Sequence, residues 1–150
     1  FLTMAANTAP IFPLTPFAIS ASLAAVTACT TRAPTATASL AAANISQLCD
    51  VSTNGRRIDK IAVQACSSGI TQTTAAQTVL IWMWDGTTAY VVDEFVVTAQ
   101  APSTTAASFR LEKSYTNLVL PAAFKLYMST TVTTTASTTA LSVQVFGGDY

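Results

Sequence analysis

A turn signal at Asp85-Gly86 joins two runs, residues 77–84 and 89–98, that are rich in β-branched and aromatic side chains. This pattern predicts a β-hairpin. Because side chains alternate between the faces of a strand, both faces of the first run are apolar. One face carries Leu80, Trp82 and Trp84, and the other carries Val79, Ile81 and Met83. Both faces must be covered, and we expect a surface outside the subunit's own core to cover one of them. The alternative is that the tryptophans lie in the intramolecular core and a loop covers the opposite face.

The composition fits one globular domain that carries little charge. Of 150 residues, 51% are hydrophobic and 9% are charged, and seven basic side chains cancel seven acidic ones. Disordered chains have the opposite composition, and such a surface has little repulsion to keep copies apart. Arg56-Arg57 is the only adjacent basic pair, so we predict no nucleic-acid partner. The apolar run from Phe17 to Ala25 is too short to span a bilayer, and we predict no membrane association.

Short strands separated by turn signals follow one another from Phe17 onward, without a long helical periodicity. Residues 38–43 are the one stretch in which we expect a helical turn. Candidate strands are 17–31, 44–51, 57–66, 77–84, 89–98, 108–113, 117–120, 125–131 and 141–146. We therefore predict an all-β fold, an antiparallel β-sandwich of the jelly-roll type, as a single domain over residues 17–150.

The first sixteen residues form a separate segment with prolines at positions 10, 13 and 16. Prolines three apart favour an extended path without internal hydrogen bonds. We predict an extended N-terminal arm over residues 1–16, which at about 3.3 Å per residue reaches roughly 50 Å. The arm would then cross a neighbouring subunit, and the alternative is a tail folded along its own domain.

The chain lacks the residues that most enzymes and metal sites use. It contains no histidine, and Cys29, Cys49 and Cys66 form no Cys-x-x-Cys pair. The few carboxylates are explained as turn formers or solubilising groups, and Asp93 and Glu94 point to opposite faces of a strand. We therefore predict no enzymatic activity, no catalytic residue, no cofactor and no metal.

Four stretches and the arm together carry a resemblance to a known class of protein. The stretches are Arg57–Ile61, Val79–Gly86, Leu118–Leu126 and Phe146–Tyr150, and the arm contains Ala9-Pro10-Ile11-Phe12. Over residues 44–150 and the arm, the chain resembles the small β-sandwich structural proteins of tailed bacteriophages. The resemblance implies a capsid decoration (cement) protein on the virion surface, commonly a homotrimer, bound to the major capsid protein.

Related sandwiches occur in tail fibres and spikes, so a receptor-binding tip is one alternative function. A secreted lectin-like or adhesin domain is another. For the decoration protein, we expect an interface built from the apolar arm and from aromatic side chains of the sandwich. The candidate interface residues are Pro10, Ile11, Phe12, Pro13, Leu14, Trp82, Trp84, Tyr90 and Tyr150.

Overall fold

The computed structural model describes residues 13, 15–36, 40, 42–66, 69, 71–136 and 139–150. In this part of the chain the regular elements are strands and one short 3₁₀ helix, Ala42–Asn44. The strands are β1 (Thr15–Leu23), β2 (Ser46–Cys49), β3 (Arg56–Ala65), β4 (Gln77–Trp84), β5 (Ala89–Val97), β6 (Arg110–Leu120), β7 (Lys125–Thr130) and β8 (Leu141–Asp149).

The strands form two antiparallel four-stranded sheets, which confirms the predicted all-β sandwich. Sheet A has the order β1-β8-β3-β6, and sheet B has the order β2-β7-β4-β5. The pairs β1–β8, β2–β7, β3–β6 and β4–β5 are nested, so the first strand pairs with the last and the middle two pair with each other.

The core lies between the sheets, where the alternating apolar residues of both inner faces meet. Its fully buried members include Ile61 and Val63 of β3, Ile81 of β4, Phe95 of β5 and Val145 of β8. Met83 packs against the same cluster with partial exposure. The face of β4 that carries Val79, Ile81 and Met83 is therefore the core face, and the tryptophan face points away from the core.

The predicted hairpin is confirmed as β4 and β5. Gly86 has φ 102°, a backbone conformation that glycine adopts without strain. The Asp85 carboxylate accepts hydrogen bonds from the backbone N–H groups of Thr87 and Thr88, at 2.9 and 2.8 Å. These contacts close the turn and fix the register that places Trp82 and Trp84 on the outer face of sheet B.

The described residues between β1 and β2, 24–36, 40 and 42–45, form a segment that we call the strap, and from Cys29 onward it reaches this outer face. Cys29 and Leu40 of the strap are buried in one cluster with Leu80 and Trp82. Thr35 forms a β-bridge with Ala89 at the start of β5. We expected a surface outside the subunit's own core over one face of β4, and over Trp82 that cover is the strap of the same chain and not a second subunit.

Several predicted strand bounds differ from the structure; β8, for example, extends to Asp149, three residues beyond its predicted end. Strand β1 begins at Thr15, inside the predicted arm, and ends at Leu23 because the chain then leaves sheet A for the outer face of sheet B. The predicted strands 108–113 and 117–120 form one strand, β6. Its pairing with β3 shifts register, since Ile58 pairs with Leu118 but Lys60 pairs with Ser114. The extra residues of β6 at this shift interrupt its alternation of side chains, so the sequence pattern looks like two separate strands.

Candidate interaction surfaces and polar clusters

The start of β1 is anchored on two glycines at the end of β8. Gly147 and Gly148 pair with Phe17 and Pro16. A Cβ atom added to Gly148 would lie 2.3 Å from Cβ of Pro13, so any larger residue there would displace this proline. Pro13 therefore packs directly on the sheet backbone. We call this contact the proline anchor. It fixes the position of Pro13, the residue that follows residues 1–12 in the chain.

An open cleft of about 380 Å³ lies beside the proline anchor. Arg57 and Asp59 form the charged wall of the cleft. The Arg57 side chain donates two hydrogen bonds to the Asp59 carboxylate, from Nε to Oδ1 at 2.6 Å and from Nη2 to Oδ2 at 3.2 Å. Both side chains are more than a third exposed, so this ion pair contributes little to stability. The cleft is lined by Pro13, Pro16, Arg57, Asp59, Gly147 and Gly148.

Among the candidate interface residues of the arm, the structure describes Pro13. Pro10, Ile11, Phe12 and Leu14 lie outside the described residues, so their role stays a prediction. Because Thr15 and Pro16 belong to β1, any test of the arm has to leave them in place.

Trp82 is a correction to the candidate interface. Its side chain has no exposed surface, and its indole N–H donates a hydrogen bond to Oγ of Ser129 at 2.8 Å. The hydrogen bond satisfies the buried indole, and the strap residues Cys29 and Leu40 fill the space above it. A side chain that is fully buried within its own subunit cannot contact a second one in this conformation, so Trp82 is removed from the interface.

The other three candidate aromatic residues do not form one surface. Trp84 is partly buried on the outer face of sheet B, edge-to-face with Tyr127 at a ring separation of 6.4 Å. Tyr90 is 41% exposed and pairs with Met83, which places it on the opposite face of the hairpin. Tyr150 lies at the end of β8, where its backbone N–H donates to the Gly55 carbonyl at 3.1 Å. The structure therefore separates residues that were predicted to act together.

A polar cluster that the sequence analysis missed joins the two sheets along the β5–β6 side. Lys113 Nζ lies 2.6 Å from Oδ1 of Asp93 and 4.7 Å from the centre of the Phe95 ring, and the Tyr115 hydroxyl donates to Oδ2 of Asp93. Burial raises the pKa of Asp93, but the hydrogen bonds from Lys113 and Tyr115 lower it more, so the net shift is downward. Burial of the Tyr115 hydroxyl and its hydrogen bond to the Asp93 carboxylate raise the pKa of Tyr115. The spacing Lys113-x-Tyr115, which puts both side chains on one strand face, was the available signal.

An ion pair between the buried Arg56 and the partly exposed Asp149 lies at the end of the sandwich nearest the proline anchor. The Arg56 side chain is 9% exposed, and its Nε lies 2.9 Å from Oδ1 of Asp149. Its guanidinium also lies 4.8 Å from the centre of the Phe17 ring. Burial raises the pKa of the neighbouring Cys49 thiol. Arg56 shares a strand face with the core residue Ile58, and this alternation was the signal that the sequence offered.

No group of three potential metal ligands occurs among the described residues. In the same part of the chain, no helix is long and apolar enough to cross a membrane. Comparisons with protein-family models, with curated proteins and with solved structures found no significant match to this chain.

Proposed function

We propose that the chain is a capsid decoration protein, a non-enzymatic virion component that binds the major capsid protein at the capsid surface. The observation that carries the proposal is the proline anchor, in which Pro13 packs against Gly148. It gives the apolar segment before it a fixed base on a rigid sandwich. At about 3.3 Å per residue, residues 1–12 reach roughly 40 Å, enough to contact a neighbouring subunit of a shell.

The fold supports the proposal at the level of architecture. The four nested strand pairs support a jelly-roll assignment, because rolling up one long hairpin pairs the first strand with the last. Jelly rolls occur in viral capsid and lectin domains, so this support is an analogy of fold and not of site. Equal numbers of acidic and basic side chains, seven of each, leave little net repulsion between copies packed on a lattice. A homotrimer on that lattice is part of the proposal.

The arm is tested in the full-length chain with Ile11 and Phe12 both replaced by serine. Burying each of these side chains stabilises a contact by about 1.5–3 kcal/mol, so we expect capsid binding to weaken at least tenfold. The measurement is occupancy on capsids stripped of decoration protein, followed over a range of protein concentrations. The thermal unfolding midpoint should not change, because the sandwich begins at the proline anchor.

Replacing Asn7 and Thr8 by glutamine and serine in the same segment is the matched control, and it should leave occupancy unchanged. A second variant begins at Pro13 and keeps all of β1, and it should bind as poorly as the serine variant. If both variants occupy capsids as well as the unaltered chain does, the arm does not carry the binding.

The cysteines weigh against the secreted alternative. Cys29 and Cys49 are buried free thiols, and Cys66 is an exposed free thiol. A small secreted lectin-like or adhesin domain would gain stability from a disulfide in an oxidising compartment. The structure supplies no such bridge between these three residues.

A further inference from the structure

Each sheet of the sandwich has two edge strands, β1 and β6 in sheet A and β2 and β5 in sheet B. An edge strand presents unpaired backbone N–H and C=O groups that attract another strand. Native proteins block such edges with charged side chains, bulges, proline or very short strands. An edge strand of this sandwich that carries none of these features is open to a partner.

Three of the four edges are blocked. Strand β6 carries Arg110, Glu112 and Lys113, and its register against β3 shifts. Strand β5 carries Asp93 and Glu94 and has a bulge opposite the middle of β4. Strand β2 has four residues and an irregular register against β7.

In the described part of the chain, no second strand pairs with the outer edge of β1, and β2 of sheet B lies close to it on one side only. All nine residues of β1 pair with β8 without a register shift. No charged residue occurs in the strand, and its single proline, Pro16, lies near one end. Among the described residues, no backbone group outside β8 forms a hydrogen bond with it. Its outer-face residues Ala18, Ser20 and Ser22 are small and exposed, so a second strand can approach closely.

We propose that β1 pairs antiparallel with β1 of a second copy of this chain, so that two A sheets join across a two-fold axis. The register that pairs all nine residues places Ile19 opposite its own copy, Phe17 opposite Ala21 and Ala18 opposite Ser20. On the inner face Phe17 then faces the small Ala21, the two Ile19 side chains face each other, and no charge faces another. This self-complementarity is what a two-fold contact requires.

The size of the contact predicts a weak dimer. Nine paired residues span roughly 30 Å, and two sheets about 10 Å apart with their side chains are roughly 20 Å thick. The contact therefore buries about 600 Å² per copy, or about 1,200 Å² in total, at the lower limit for specific interfaces. We expect dissociation in the micromolar range. The contact is independent of capsid binding, so neither proposal depends on the other.

The test is sedimentation equilibrium of the full-length chain over concentrations from about 1 to about 200 μM, a span that brackets micromolar dissociation. We expect the mass to rise from 15.6 kDa towards twice that value. A variant with both Ala18→Lys and Ser20→Lys places lysine opposite lysine twice across the axis and should remain monomeric. A variant with Ala18→Lys and Ser20→Glu places lysine opposite glutamate twice and should dimerise again.

The matched control carries Ser114→Lys and Thr116→Lys on β6, the other edge of the same sheet, and should dimerise like the unaltered chain. Hydrogen exchange gives a second readout in the unaltered protein, since the amides of β1 should become more protected as concentration rises. The proposal is overturned by a monomer at every concentration, or by a dimer or trimer that the double-lysine variant leaves unchanged. If the lysine variants fail to fold, concentration-independent exchange of the β1 amides overturns it.

Discussion

Replacing Asp149 by asparagine is expected to lower the free energy of unfolding by about 1–3 kcal/mol, because it leaves a buried guanidinium without its partner. The change keeps the shape of the side chain but leaves the buried Arg56 guanidinium without its counter-charge. An unpaired charge in the interior keeps its desolvation cost and loses the attraction that offset it. Urea unfolding, with an unchanged dependence of the free energy on denaturant concentration, measures the loss.

Two further variants separate this explanation from a general effect of removing a carboxylate. Replacing Arg56 by methionine together with Asp149→Asn removes both charges and should recover most of the lost stability. Replacing Glu94 by glutamine breaks the exposed pair with Arg32 and should cost less than about 1 kcal/mol. A loss below 1 kcal/mol for Asp149→Asn would contradict the account of this ion pair.

Replacing Trp82 by alanine is expected to lower the free energy of unfolding by about 3–5 kcal/mol, because it removes a fully buried ring and leaves a cavity beneath the strap. Replacing the partly exposed Trp84 by alanine should cost distinctly less. Both losses are measured by urea unfolding followed by circular dichroism.

Measuring the loss of stability at several protein concentrations distinguishes burial of Trp82 under the strap from burial against another subunit. If the strap covers Trp82, the loss on Trp82→Ala is the same at every protein concentration. In the variant Trp84→Phe, the remaining indole should also resist quenching by iodide. Equal losses for the two alanine variants, or a quenchable Trp82, would contradict burial within the subunit.

Much of the fold was predictable because strand alternation is a local property. Residues 77–84 form β4 with the predicted bounds, and the turn at Asp85-Gly86 supplied the register of the hairpin. The end of β1 was not predictable, since residues 24–31 keep an apolar strand-like composition while they cross to sheet B. The union of two predicted strands into β6 depends on a bulge against β3, which is a long-range contact.

The candidate site was less predictable than the fold. The sequence showed that both faces of β4 needed cover, but it did not show that a strap anchored by Cys29 and Leu40 would supply it. The Asp93 cluster brings together residues from β5 and β6 that are about twenty positions apart. The proline anchor depends on Gly148, which lies more than 130 positions from Pro13. Such contacts follow from topology, which local patterns do not specify.

Electron microscopy of the native virion, at a resolution that shows strands, tests the central claim most directly. The account predicts many copies of the eight-stranded sandwich spread over the capsid lattice, with the segment before Pro13 lying against the major capsid protein. Finding the sandwich only at the tail, in a few copies, would contradict decoration of the capsid and favour a receptor-binding tip. Its absence from the particle would contradict a virion role altogether.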